Sequence, residues 1–586
     1  MSRSVPRQVA RTSRRALVAA FGILLPAASL HAQAPVITPA GDPSIRNDTI
    51  YALAVDSTAH PEEAIVLLLD DGVVRMESDG TGTQTYRMVA QILRQQAVDA
   101  WSEHTFGYDA EREEFTLNWA RVVEPDGTVV SAEPIHVQEL DQPIPEQAPI
   151  YTTRKIVRIS LAGVAPGRIV DYSYTTRTKK PVLTGDFTAG WLITTGGTVR
   201  RSRLILDLPA TMRPHIEETN LDFEPGVQHV GDRIVRTWAR KDIEWIRPEL
   251  FAADSNGVYQ SVDVAGQIEW GDVARWYAGL TRDRYALTPE LEAKLAQLTA
   301  GAASRLDTLR AVHRWVAQDI RYVSIALGIG GYQPRPPAEV FTTASGDCKD
   351  KATLFVALAR RLGFEAYPML VSARGEDDRD LPSIRQFNHA IAAVRLDGDW
   401  VFVDLTADLV PLGEVPPAAE GEFGLIVRDD GTAEEVTVPF TDAGDNLSHM
   451  IIEGSVDAGG RFDGTITRRV SGMMQYELRS HFARSFAERE RREMAHSMAS
   501  AVFDNASGDS LEIFDGRALQ AEPRIRLHAT AERVLKPAAQ GRIFMLPLPN
   551  YASFDLIAQL EREEERRFPF DAASVIGPRE MVSEVR

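Results

Sequence analysis

A chain of 586 residues, 44% of them apolar, is too long for a single hydrophobic core and holds material for roughly three to five ordinary domains. Its formal charge of −19 weighs against duplex nucleic acid as a partner, because such binding needs clustered cations that release counterions. One cysteine, Cys348, excludes an intramolecular disulfide.

Residues 1–34 read as a signal peptide. Arg3, Arg7, Arg11, Arg14 and Arg15 precede an apolar run from Ala16 to Leu30, and small residues follow at Ala32 and Ala34. The run is 15 residues long, short of the roughly 18 that span a bilayer, so no transmembrane span is expected in the mature chain. Ser13-Arg14-Arg15-Ala16-Leu17 partly resembles a twin-arginine signal, which leaves the export route open. Cleavage removes five arginines and no acid, taking the charge from −19 to −24. The expected location is periplasmic or secreted. A lone thiol in an oxidising compartment is a liability unless it is buried or used.

From about 50 to 250, short alternating runs such as Tyr86-Arg87-Met88-Val89-Ala90-Gln91-Ile92-Leu93 lie between turn signals at Pro125-Asp126-Gly127, Pro166-Gly167 and Thr195-Gly196-Gly197. They predict a β-rich domain resembling a sandwich. A connector containing Trp270 and Trp276 follows, without an assignable role. Thr288-Pro289 then caps a helix with Leu291, Leu295 and Leu298 at helical spacing, and a second helix is expected from Ser304 to Ile320. Gly330-Gly331-Tyr332-Gln333-Pro334-Arg335-Pro336-Pro337 is a shaped loop leading towards Cys348. Lys349 to Leu362 has helical spacing with Gly363 as its stop. Strands are expected at Ala366–Ala373 and at His389–Leu396, the latter turning at Asp397-Gly398 into Trp400–Leu405. From about 445 the chain reads as a mixed region. Its parts are a hairpin turning at Asp457-Ala458-Gly459-Gly460, one helix through Met473–Phe503, and strand-like runs at Ile525–Ala531, Ile543–Pro547 and Met581–Arg586.

The chemistry-bearing candidates converge on Cys348. Asp347 suits an N-cap and Asp350 the third helical position, which sets the cysteine in a first helical turn, where free amides and the helix dipole favour a thiolate. The flanking acids oppose that anion, and the charged neighbours suggest a turn open to solvent. A base with an orienting carboxylate is therefore required downstream. His389 starts an apolar strand and Asp404 lies in its hairpin partner. With a two-residue turn, Leu396 faces Asp399, so Asp404 faces Ile391, on the same side as His389 and diagonal to it. Gln333 and Tyr332 are secondary candidates for an oxyanion donor, with loop shaping as the alternative. His313 reads as structural, and Asp377-Asp378-Arg379-Asp380 as a solvated loop without metal-ligand spacing. No H-E-x-x-H, G-x-S-x-G or phosphate-binding G-x-x-x-x-G-K occurs, so no metal and no cofactor is expected.

Trp315-Val316, Ile320-Arg321-Tyr322-Val323, Gly331-Tyr332-Gln333-Pro334, Gly346 to Leu354, Asn388-His389-Ala390 and Val403-Asp404-Leu405-Thr406 together resemble the bacterial transglutaminase-like superfamily over about 285–430. The preceding region, with Tyr86-Arg87, Val123 to Gly127, Gly167 to Asp171 and Leu208-Pro209, is similar to the β-rich domain of unknown function that precedes this catalytic domain in exported bacterial proteins. Residues 445–586 are similar to what often follows it. The resemblance implies a papain-like α+β core with Cys348 as nucleophile, His389 as base and Asp404 as its partner. One departure is Leu405, where relatives carry Pro or Ala, which puts the local turn in question. Relatives also continue past the point equivalent to Arg586, which implies a shortened C-terminal region.

The expected function is thiol acyl transfer on amide bonds of a protein or peptide substrate in the cell envelope, with hydrolysis favoured over transfer to amines. The competing readings are a non-catalytic envelope scaffold and a protein cross-linking transglutaminase. Neither substrate nor oligomeric state is written in the sequence.

Overall fold

The computed structural model describes residues 47–143, 150–193, 197–247, 249, 259–373, 378–538, 540–544 and 580–586. The signal peptide, part of the Thr195-Gly196-Gly197 turn, Asp377 and residues 545–547 lie outside them. Among the described residues no helix is long and apolar enough to cross a membrane. The chain is multidomain and β-rich with some helices, and its N-terminal β layer precedes a central α+β region.

That first layer is an eight-stranded sheet. Its order is Gly226–Val230, Arg233–Ile243, Val199–Pro209, Ile65–Met76, Gly82–Ile92, Ile169–Thr178, Glu113–Val123, Val129–Ser131. Only Ile65–Met76 and Val199–Pro209 run parallel in it. Two three-stranded sheets cover one face side by side, one built on Arg154–Ser160 and the other on Ser261–Ala265. The result is the predicted sandwich-like arrangement. An aromatic row ties the covers together: Trp191 stacks on Tyr86, and Tyr86 packs on Tyr174 at 5.4 Å. Gly72 is required beneath that row, because a Cβ there would lie 2.4 Å from the Trp191 ring.

The tryptophan-bearing connector has two structural jobs. Ser261–Ala265 is the middle strand of one covering sheet, and Trp270–Thr281 is a helix packed on the central region. Trp270 meets Phe387 at 5.3 Å and Phe423 at 4.9 Å.

The central sheet is antiparallel, ordered Asp399–Val403, His389–Leu396, Ala366–Val371, Phe423–Val427, Ala433–Thr437. Helices Pro289–Thr299, Arg305–Asp319 and Cys348–Arg361 close one core with it, around Leu291, Val312, Val316, Leu354, Phe355 and Val394. Thr288 caps the first helix as its sequence predicts, and Ser304, expected as the first residue of the second helix, is its N-cap, each accepting from a first-turn amide.

The last sheet orders Ala506–Ile513, Arg524–Ala531, Phe462–Val470, Leu447–Val456, Glu580–Val585. The single helix expected over Met473–Phe503 is two, Met474–Phe482 and Glu488–Ser500. Glu490 accepts from the Ala487 amide at 2.8 Å and starts a fresh helix there, while Phe486 folds back onto Phe482. Charged helix formers fill both segments, so the period alone conceals the break.

Candidate active site

Cys348 is the first residue of the helix Cys348–Arg361, whose N-cap Asp347 and third-position Asp350 form the capping box the sequence suggested. The surroundings correct the picture of a solvent-facing charged turn. Asp347, Lys349, Asp350 and Lys351 are all buried, and only the cysteine among them is partly exposed. Nor do the acids stand as free anions against the thiol. Lys349 pairs with Asp347, and Arg335 clamps Asp350 through its backbone amide and its Nε, both at 2.8 Å. Arg335 also donates to the Ser345 carbonyl at 2.7 Å, so the proline-rich loop staples the helix start. Gly346 permits this closeness, since a Cβ there would sit 2.8 Å from the Asp350 Cβ.

Lys351 reaches the opposite way. Its ammonium donates to the Ala317 and Ile320 carbonyls at 3.1 and 2.9 Å, satisfying the end of Arg305–Asp319. Burial lowers its pKa to about 8.

The hairpin turns at Asp397-Gly398, both with positive φ, and pairs Leu396 with Asp399 and Ala392 with Val403, as the two-residue turn requires. His389 and Asp404 therefore share a face. Nε2 of His389 lies 2.9 Å from Oδ2 of Asp404. Oδ1 accepts from the Thr406 amide at 2.9 Å and from its hydroxyl at 2.7 Å. Leu405 buries its side chain in the core, so the departure at this position leaves the threonine's hold on the carboxylate intact.

Burial pulls the His389 imidazole down, but the Asp404 carboxylate, then hydrogen bonding and charge from Cys348, outweigh it and raise its pKa to about 10. Asp404 is held below the usual carboxylate range despite its burial, by His389 and the two Thr406 donors. With Nε2 committed to Asp404, Nδ1 is left for the thiol. His389 thus lies between the Asp404 carboxylate, which it meets at 2.9 Å, and the Cys348 thiol, whose charge acts on the ring.

The secondary candidates lie differently. Gln333 Nε2 donates to the Leu280 carbonyl at 3.2 Å, anchoring the loop to the Trp270–Thr281 helix. Tyr332 packs on Trp276 at 5.4 Å, and burial raises its pKa among charges from Arg385, Arg112, Asp186 and Asp109, on the side of the β-rich layer. His313 is buried and held at about 4 by burial and the Lys351 charge, a structural neutral imidazole.

Two tyrosines escaped the sequence reading. Tyr322 sits in a two-residue strand pairing with Ser345-Gly346, and burial, then the charges of Cys348 and Asp347, raise its pKa. Tyr277 is wholly buried, with burial and then Tyr285 and Cys348 raising its pKa, and its hydroxyl has no hydrogen-bond partner among the described residues. Tyr322 lay inside the quoted Ile320–Val323 run, whereas Tyr277 had no signal beyond its place in an unassigned connector. Among the described residues no group of three or more His, Cys, Asp or Glu side chains could hold a metal ion.

Residues 292–405 match the model of the transglutaminase-like superfamily. Residues 78–247 match the domain of unknown function DUF3857. The chain therefore carries a transglutaminase-like region behind an N-terminal β domain. No curated protein matches it. Among solved structures, "a putative protease" of Parabacteroides distasonis superposes with a TM-score of 0.54 at 11% identity, over 85% of this chain and 97% of that one. That likeness establishes the fold. "A putative cysteine protease" of Cytophaga hutchinsonii gives a TM-score of 0.17 at 14% identity, over 55% of this chain and 75% of its own.

Proposed function

We propose that this chain is an exported cysteine peptidase or amidase that forms a thioester at Cys348 on proteins or envelope peptides and passes the acyl group to water. The observation that carries the reading is the partly exposed thiol at a helix N-terminus, beside an imidazole whose Nε2 lies 2.9 Å from the Asp404 carboxylate. The thiolate attacks the amide carbonyl, the imidazolium gives its proton to the departing amine, and the freed base then activates water. First-turn amides of the helix are the donors available to the oxyanion. The transglutaminase-like match and the word "protease" on the Parabacteroides neighbour point the same way.

The test is digestion of a peptide library by the full chain, with monodansylcadaverine present in parallel. Peptide cleavage that is lost in Cys348→Ala and falls about 100- to 10,000-fold in His389→Ala supports the proposal. Amine incorporation without cleavage would make the chain a cross-linking enzyme. A thiol unreactive towards iodoacetamide, together with an uncleaved library, would leave only a scaffold.

A further inference from the structure

The face of the eight-stranded sheet turned away from its two covering sheets is apolar where Ile50, Val66, Leu68 and Val89 pack, and polar at the other end, where it opens into a cavity of about 800 Å³. Register explains its make-up. Arg75, Thr83, Arg177 and Glu114 stand side by side on four adjacent strands, and Thr85, Thr175 and Thr116 form the next row. Asn118 extends the floor, its amide donating to Ser173 and Thr175 and leaving its carbonyl oxygen available to a ligand. Thr81 and Lys179 close one side.

We infer that this cavity is a binding site for an acidic oligosaccharide. Two observations favour a sugar over a peptide. Under the cavity Ile65–Met76, Gly82–Ile92 and Ile169–Thr178 are each paired on both sides, so an extended peptide lying across the floor finds no free backbone ladder there, and Glu113–Val123 is open only along its outer edge, where Val129–Ser131 pairs with it at Val122 and Val123 alone. The lining is hydroxyl, amide, carboxylate and guanidinium, with no apolar hollow for a peptide side chain. A polyol uses such a surface fully, because each hydroxyl both donates to and accepts from threonine, asparagine and carboxylate groups. The acidic group follows from the charges. Arg75 is committed to Asp207 at 3.4 Å and Glu77 to Arg233 at 2.8 Å. Arg177 and Lys179 make no ion pair among the described residues, and both are exposed at the mouth of a chain with net charge −19.

The cavity rim runs on towards the thiol-bearing region. The Lys179 amide donates to the Arg112 carbonyl at 2.8 Å, and the adjacent Glu113 pairs with Arg385 of the loop leading to His389. A glycan seated on the sheet therefore lies on the side of the Glu113–Arg385 contact between the two regions, a placement that bears on Cys348 only through the proposed peptidase function.

The experiment is calorimetric titration of the full chain with tri-galacturonic acid, its methyl ester and triglutamate. Binding of the acid, about tenfold weaker for the ester and for the Arg177→Gln/Lys179→Gln double variant, is expected. Unchanged affinity in Cys348→Ala separates this site from the thiol chemistry. The inference is overturned if the acid fails to bind up to about 10 mM, if triglutamate binds equally well, or if the double variant binds like the parent. Because both substituted side chains are exposed, melting temperature serves as the folding control for that variant.

Discussion

Asp404 accepts three hydrogen bonds with two oxygens, and each constrains a different neighbour. The bond from His389 fixes the ring, while the two from Thr406 fix the carboxylate itself. Replacing it as Asp404→Asn keeps the shape and removes the charge that holds the imidazole near 10. The alkaline limb of the pH–rate profile is expected near pH 10 in the parent and well below it in the variant, with the rate down by about 1,000-fold or more. A profile that does not move would separate Asp404 from the base. His313 gives a stability prediction of opposite sense. Its folded pKa, about 4, lies below the unfolded value near 6.5, so the unfolded chain binds the extra proton between them and stability falls as pH drops through that window. Acid denaturation of His313→Leu should lack about 3 kcal/mol of that loss. At this scale Cys348, His389 and Asp404 could be singled out as candidates because thiol acyl transfer demands particular residue types at particular places. Tyr277 was not legible, since nothing local distinguishes a core tyrosine from one whose hydroxyl lies near a thiol. The fate of Asp350 and Lys351 beside Cys348 was also hidden, because Arg335 comes from a loop that proline content marks only as a loop, and the Ala317 and Ile320 carbonyls lie about thirty residues upstream.

Elements that announce their own ends were read well. Thr288-Pro289, Ser304 and the Asp347/Asp350 box each satisfy free amides with local side chains, so the signal is contained within four residues. The Asp397-Gly398 turn is equally local, and it set the register that brings His389 to Asp404. The division of Met473–Phe503 into two helices depends instead on what the break packs against. Arg479, buried at 1% exposure, donates to the carbonyls of Ala518 and Ala521, some forty residues onward in the chain. Gly72 carries the element-scale prediction. Trp191 is fixed by Tyr86 on one side and by its Nε1 bond to Ser202 at 3.0 Å, so it cannot yield to a methyl group. Gly72→Ala should lower stability to chemical denaturation by about 1–3 kcal/mol. A neutral result would mean the ring can swing aside.

Across the whole molecule, the β-rich layer and the thiol-bearing region meet at a buried hydrogen bond, Ser383 Oγ to Asp186 Oδ1 at 2.7 Å, flanked by the Glu113–Arg385 pair. Burial, only partly offset by Ser383 and Arg385, raises the Asp186 carboxyl to about 6. The folded form therefore binds more protons than the unfolded chain between about pH 4 and 6, and stability is lost as pH rises through that range. Asp186→Asn removes the buried charge, and thermal melts above pH 6 should show it more stable than the parent by about 1–3 kcal/mol. Equal melting of the two would show that the carboxylate is fully compensated. This seam could not be read from the sequence, because its partners lie nearly two hundred residues apart and neither belongs to a periodic pattern.

Ser324–Ala326, just beyond Tyr322, pairs in parallel with Ile150–Thr152 of the β-rich part. Backbone donors two residues past a side chain of the site are thus satisfied by a strand that arrives from far upstream. Such a contact closes a very long loop and forms only once both parts have gained most of their own structure. Order of assembly follows from that geometry: the wall of the thiol site is among the last surfaces to be completed. On refolding, reactivity of Cys348 should then trail the burial of core tryptophans, and a chain synthesised without its β-rich half would carry the cysteine, histidine and aspartate on an unfinished frame.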